Sequence, residues 1–204
     1  MISGTTRRAS RRALAWLLVG ITLGSLPPVG AHAEAGFGLE QLMIALGRVQ
    51  HSKARFVERK YIKLLTRPLE LSGTLEYRAP GYLERRTLKP KPESFVVDGD
   101  VLTLENARGQ RRTFALQDNL ALLAFVESIR STLKGDLAAL DRFYRVTLEG
   151  DERDWRLGLT PKQPRMSAVI SQIQIGGGDG KIRTIEIRET QGDRSVMTIS
   201  EDGS

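Results

Sequence analysis

Leu69-Glu70-Leu71-Ser72-Gly73-Thr74-Leu75-Glu76-Tyr77-Arg78 is the stretch that decides the fold. Leu69, Leu71, Gly73, Leu75 and Tyr77 alternate with Glu70, Ser72, Thr74, Glu76 and Arg78. Side chains of an extended chain point to opposite faces in turn, so this period of two makes a strand with one dry face and one wet face. A strand half wet and half dry belongs to an antiparallel sheet, because strands of buried parallel sheets read as continuous apolar runs.

Outward from this strand the pattern repeats. Residues 55–65 read as a preceding strand, with Leu64-Leu65 blurring its alternation. Before it, Leu39, Leu42, Met43, Leu46 and Val49 recur at steps of three and four, which predicts an amphipathic helix over 38–52. Downstream, a turn at Ala79-Pro80-Gly81 leads to a strand over 82–89. Strands over 93–98 and 101–106 flank Asp98-Gly99-Asp100, where Asp-Gly favours a tight hairpin. Residues 110–116 follow a turn at Arg108-Gly109. Asp118 or Asn119 then caps a helix carrying Leu120, Leu123, Ala124, Ile129 and Leu133, which Gly135 ends. Asp136 caps a second short helix through Leu140 and Phe143. Strands resume at 144–149, 154–160, 169–175, 181–190 and 194–200, with turns at 176–180 and 191–193.

About eleven consecutive antiparallel strands must curl or stack. Two amphipathic helices cannot leave their apolar faces in water, and a curved sheet offers a concave dry face to bury them. The expected fold is mainly β with α: one antiparallel curved sheet forming an open half-barrel, covered by a leading helix and a helical insertion.

The first 33 residues read separately. Arg7, Arg8, Arg11 and Arg12 precede an apolar run from Ala13 to Leu26, broken by Pro27 and Pro28, and Ala31-His32-Ala33 supplies a small-x-small cleavage pattern. The run is shorter than the ~20 residues a spanning helix needs, so this is a secretory signal peptide rather than an anchor. Cleavage is expected after Ala33, with Ala35 as the second choice. Ser10-Arg11-Arg12 lacks the Phe-Leu-Lys continuation of a twin-arginine signal, which favours ordinary Sec export. The domains are therefore 1–33, the leader, and 34–204, a single mature domain.

Removing the leader changes the meaning of the charge. The formal +7 includes four of the 31 Lys and Arg and none of the 24 Asp and Glu, leaving 27 bases against 24 acids. An interspersed +3 gives no reason to expect nucleic acid. The chain has no cysteine, so an exported product has no disulfides and no lipid anchor. The bacterial periplasm is the natural compartment.

The inventory for catalysis is thin. His51 is the single histidine outside the leader, which leaves little for Ser-His-Asp, Cys-His or zinc chemistry. Near the end of the leading helix it reads as a surface residue interacting with the dipole. The glycine run at 176–180 precedes Lys181-Ile182 and a strand, not the Ser/Thr and helix of a phosphate loop, so it reads as a flexible hairpin. Arg85 and Arg86 point to opposite faces of one strand. An inward arginine needs a partner, and the simpler expectation is that it snorkels to the sheet rim.

Several segments resemble the periplasmic outer-membrane lipoprotein carrier LolA family. Ala54-Arg55-Phe56-Val57-Glu58 is similar to the start of that family's first strand. Gly73-Thr74-Leu75-Glu76-Tyr77 leading to Pro80-Gly81-Tyr82-Leu83-Glu84-Arg85 resembles its Gly-x-Leu segment, proline turn and short aromatic strand. Pro90-Lys91-Pro92-Glu93-Ser94-Phe95-Val96-Val97-Asp98-Gly99 resembles its hairpin. Trp155-Arg156-Leu157-Gly158-Leu159-Thr160-Pro161 and the closing strands around Gly192-Asp193 complete the match over the mature chain. The family typically has an arginine directly before the turn proline, which holds the lid through helix carbonyls. Here that position is Ala79, with Arg78 one residue earlier on the opposite face.

The resemblance implies a non-enzymatic carrier, without cofactor or metal, that shelters acyl chains between inner and outer membrane. Its expected partners are acylated cargo, an inner-membrane donor and an outer-membrane acceptor, and it would act as a monomer. Leu42, Leu46, Leu120 and Leu123 are expected to fill the cavity from the helices, and Phe56, Leu75, Leu83, Phe95 and Val97 to line it from the sheet. Either sheet face could pack on the helices, and these five are assigned to the concave one. The alternatives are a carrier or sensor of another amphiphile, such as a glycolipid or polyene-type acyl product, and an envelope adaptor with a packed core.

Overall fold

The computed structural model describes residues 37–118 and 120–201, the side chains of Leu120 and Ala121 excepted. The expected leader and the alternative cap Asn119 lie outside the described residues. The elements are α1 (Leu39–Gly47), β1 (His51–Tyr61), β2 (Leu69–Arg78), β3 (Tyr82–Lys89), β4 (Glu93–Asp98), β5 (Val101–Glu105), β6 (Arg111–Ala115), α2 (Leu120–Lys134), α3 (Leu137–Phe143), β7 (Tyr144–Gly150), β8 (Trp155–Pro161), α4 (Pro164–Ser167), β9 (Ile170–Gly178), β10 (Lys181–Glu189) and β11 (Arg194–Glu201).

Alternation along each strand puts the apolar set on one face, and hairpin connections then add strands one at a time. The result is one eleven-stranded antiparallel sheet in the order β6-β5-β4-β3-β2-β1-β11-β10-β9-β8-β7. The two ends of the chain meet in its middle, where β1 pairs with β11 through Phe56↔Ile199 and Glu58↔Met197. β6 and β7 are the free edges, so the sheet is an open half-barrel as expected. The chain leaves at one edge and re-enters at the other, and the helices between them cross the opening.

α2 is seated in two apolar clusters. Ala124 joins Leu42, Leu46, Trp155, Leu157, Ile173 and Ile175. Val126 joins Val97, Leu102 and Leu116 on the other half of the sheet. Phe125 packs against both clusters. Gly135, in the left-handed region at φ 68°, ends α2 as read. Asp136 caps α3 by accepting from the Ala139 amide at 2.9 Å.

Several boundaries depart from the sequence reading. The leading helix stops at Gly47, and His51 opens β1 instead of closing a helix. α1 and α2 meet here backbone to backbone: a Cβ on Gly47 would lie 2.8 Å from the Lys134 carbonyl oxygen, and one on Gly135 2.1 Å from that of Met43. Beyond this crossing the Ala79 amide donates to the Gln50 carbonyl at 2.8 Å, drawing the chain into the sheet. β1 accordingly ends at Tyr61, and Leu64, 94% exposed, sits in the β1–β2 connection. The hairpin expected at 176–180 is present, but Gly176, Gly177 and Gly178 belong to strand β9 and the turn is shorter. Trp155 lies over Gly177, where a Cβ would approach its Cζ2 to 2.5 Å, and Asp179-Gly180 makes the turn. α4 is one further turn, too short to show a period. Among the described residues, no helix is long and apolar enough to cross a membrane.

Candidate functional site

A cavity of about 820 Å³ lies between the helices and the concave face of the sheet. Its walls come from four directions. α2 contributes Phe125, Val126, Ile129 and Leu133, and Leu46 and Val49 come from α1 and the residues after it. β2, β3 and β4 contribute Leu75, Tyr77, Leu83 and Phe95, and β10 and β11 contribute Ile185, Ile187, Met197 and Ile199. Its lining runs along β1 from His51 to Lys60, nine residue steps or about 30 Å of strand. A volume in the upper part of the roughly 300–1,000 Å³ range of small-molecule sites, with walls this apolar, suits a long aliphatic group.

The nine residues expected at this site divide. Leu46, Leu75, Leu83 and Phe95 line the cavity together. Leu42 and Val97 are fully buried within the two flanking clusters instead. Leu123 packs against the Val97 cluster, and the side chain of Leu120 lies outside the described residues. Phe56 is on the concave face but stays in the sheet, because it pairs with Gly73. A Cβ on Gly73 would come within 2.9 Å of Phe56 Cε1, so the ring occupies the space that the glycine leaves. The isoleucines of β10 and the Met197 and Ile199 pair of β11 were missed as lining. Their alternation marked strands, but the closure of β11 on β1 was needed to bring them under α2.

Within this apolar enclosure sits a polar cluster. Glu58, 4% exposed, accepts from Arg85 Nη2 through Oε2 and from the Ser195 hydroxyl through Oε1. Lys60 Nζ stands 3.9 Å from the same Oε1. The guanidinium of Arg85 lies 4.8 Å over the Phe56 ring. Arg85 therefore remains inside with a buried partner instead of snorkelling to the rim, while Arg86 points outward to Glu84 at 2.6 Å. The sequence held both members, Glu58 and Arg85, but their meeting across β1, β2 and β3 is a matter of sheet register.

Charged pairs stand near the start of β1: His51 Nε2 is 3.2 Å from Glu76, and Lys181 is 2.6 Å from Glu201. At the β2–β3 turn the Arg78 guanidinium lies 3.7 Å over the Tyr82 ring rather than under the helices. Tyr82 donates to Glu84 at 2.7 Å, and this bond, with the Arg86 and Arg78 charges, holds the Glu84 carboxyl below its ordinary range against the effect of burial. The α2-to-sheet contact comes from the helix side. Arg130 donates to the Gly99 carbonyl at 2.7 Å and pairs with Glu127, tying α2 to the β4–β5 turn. Tyr144 donates to the Ala124 carbonyl at 3.0 Å, and burial pushes its phenol up to about 12.

The architecture is an open half-barrel crossed by helices over an apolar cavity. Residues 31–201 match the family described as outer membrane lipoprotein carrier protein LolA-like, and the chain belongs to that family. Among solved structures it is similar to a LolA superfamily protein from Nitrosomonas europaea, at 10% identity and TM-score 0.45 over 80% of this chain and 90% of that one. A chain of the MucA/MucB complex of Pseudomonas aeruginosa matches at 12% identity and TM-score 0.41, over 81% and 58% respectively. No curated protein matches this chain.

Proposed function

We propose that this protein is a periplasmic carrier that shelters the acyl chains of lipoproteins, or related lipidated cargo, in transit from inner to outer membrane. The cavity of about 820 Å³ between α2 and the sheet carries this reading. Each methylene moved from water into such a site contributes about 0.8 kcal/mol, so even a partly enclosed chain of several carbons is held by several kcal/mol. The apolar residues of α2 close the cavity when it is empty and move aside for cargo. The export signal read in residues 1–33 and the missing cysteine support a product released into the periplasm, as a shuttle must be.

Denaturing extraction of the protein purified from its periplasm, followed by mass spectrometry, tests this. Acylated peptides in the extract are the expected result. Free lipids alone would reassign the protein to another amphiphile, and an empty protein that takes up no acyl probe would sink the carrier reading.

A further inference from the structure

The polar cluster inside the cavity is asymmetric. Both oxygens of Glu58 are engaged, by Arg85 and by Ser195. On the donor side, among the described residues, Arg85 is bonded through Nη2 alone, and its Nε is enclosed without any acceptor. An arginine carries five N–H donors, and an unmet one away from water costs free energy until an acceptor arrives. Arg85 thus holds an N–H that neither Glu58 nor Ser195 meets.

Its position says what would supply the acceptor. Arg85 lies in register between Leu75 on β2 and Phe95 on β4, both part of the cavity wall. Arg85 also borders a second recess of about 270 Å³, where Phe95 and Leu104 stand beside Thr87, Glu93, Ser94 and Asn106. An occupant that runs from the apolar cavity into this mixed recess passes the guanidinium. The Glu58 carboxylate already balances Arg85, and Lys60, with 38% of its side chain exposed, is screened by water. An ionised head would be desolvated beside Glu58, whereas a neutral oxygen meets the spare donor without that repulsion.

We infer that Arg85, held in place by Glu58 and Phe56, binds the carbonyl oxygen of an acyl ester or amide, with the acyl chain in the large cavity and the head in the recess. This rests on the carrier reading of the same cavity. The site thereby selects acyl-linked amphiphiles over ether-linked or free-acid ones of equal chain length.

The test is displacement of the neutral dye N-phenyl-1-naphthylamine by four hexadecyl-length probes: monopalmitoylglycerol, N-palmitoylethanolamine, hexadecylglycerol ether and palmitate. The wild-type protein is expected to bind the ester or the amide roughly tenfold more tightly than the ether, as one hydrogen bond from a charged donor would give. The better of the two identifies an ester or an amide source. Arg85→Lys keeps a cation for Glu58 but loses the fork, and Glu58→Gln/Arg85→Met removes the pair without leaving a buried charge. In both variants the preference should fall to about twofold or less, with ether binding retained. Equal binding of ester, amide and ether to the wild type, a preference that survives both variants, or palmitate binding tightest would each overturn the assignment while leaving the carrier reading intact. If no probe displaces the dye, the carrier reading and this inference fall together.

Discussion

Gly73 is pinned by two close approaches, since a Cβ there would lie 1.9 Å from the Arg86 carbonyl oxygen and 2.9 Å from Phe56 Cε1. Neither neighbour can yield cheaply: one is sheet backbone and the other a buried ring. Gly73→Ala should therefore destabilise the protein by about 1–3 kcal/mol or more. A lower urea midpoint at unchanged slope checks this, and an unchanged midpoint would show that β2 and β3 adjust freely. Tyr144 makes a different residue-scale claim. Its phenol is raised to about 12 by burial, so the folded state resists ionisation that the unfolded chain undergoes near pH 10. The stabilising contribution is complete below pH 10 and is lost as the pH rises toward 12. Relative to Tyr144→Phe, the wild type should lose stability over this window, by about 2–3 kcal/mol at its end. Denaturant unfolding of both proteins at pH 8 and pH 11.5 measures the difference. Parallel behaviour would contradict it.

At the scale of elements, the decisive piece is α2, which bridges both halves of the sheet and roofs the cavity. Its contact with the β4–β5 turn passes through Arg130 and the Gly99 carbonyl. Losing a hydrogen bond from a charged donor costs about 1.5–3 kcal/mol. Arg130→Met should therefore speed amide exchange in α2 by roughly tenfold or more, while β8 and β9, buried in the other cluster, keep their protection. Exchange rising equally everywhere would mean that Arg130 holds up the whole fold and not the roof. Ile129 faces the cavity on the same helix. Ile129→Glu puts a charge into that wall and should abolish acyl loading with the far-ultraviolet spectrum of the sheet retained. Loading that survives would separate α2 from the site.

Across the whole molecule, a cavity of this size beneath a roof of helices leaves the empty protein less stable than the occupied one. Ligand at about 100 times its dissociation constant adds about 2.7 kcal/mol, or roughly 5–10 °C in Tm for a chain of this length. Scanning calorimetry of delipidated and reloaded protein checks this, and a Tm indifferent to acyl ligand would count against the proposed function. Much of this architecture was legible beforehand. Strand periodicity from Leu69 to Tyr77, the Asp98-Gly99 turn and the Gly135 stop are local consequences of side-chain direction and φ preference, and they led to an open half-barrel. Leu75, Leu83 and Phe95 could be grouped on one face by strand alternation, and Leu46 on the apolar face of α1 by its steps of three and four, but which sheet face meets the helices was left open. What sequence could not decide is anything that depends on which strands meet. Local periodicity carries no information about register between β1 and β11, or about the crossing of α1 and α2 at Gly47 and Gly135. Those pairings put Ile185 and Met197 under α2, turned Phe56 down onto Gly73, and brought Glu58 and Arg85 together. The sequence by itself determined that there is a dry face and helices to cover it. The tertiary structure alone decided that the covered space is a cavity with an arginine in its wall paired to a buried glutamate, because only long-range pairing sets the distance between residues far apart in the chain.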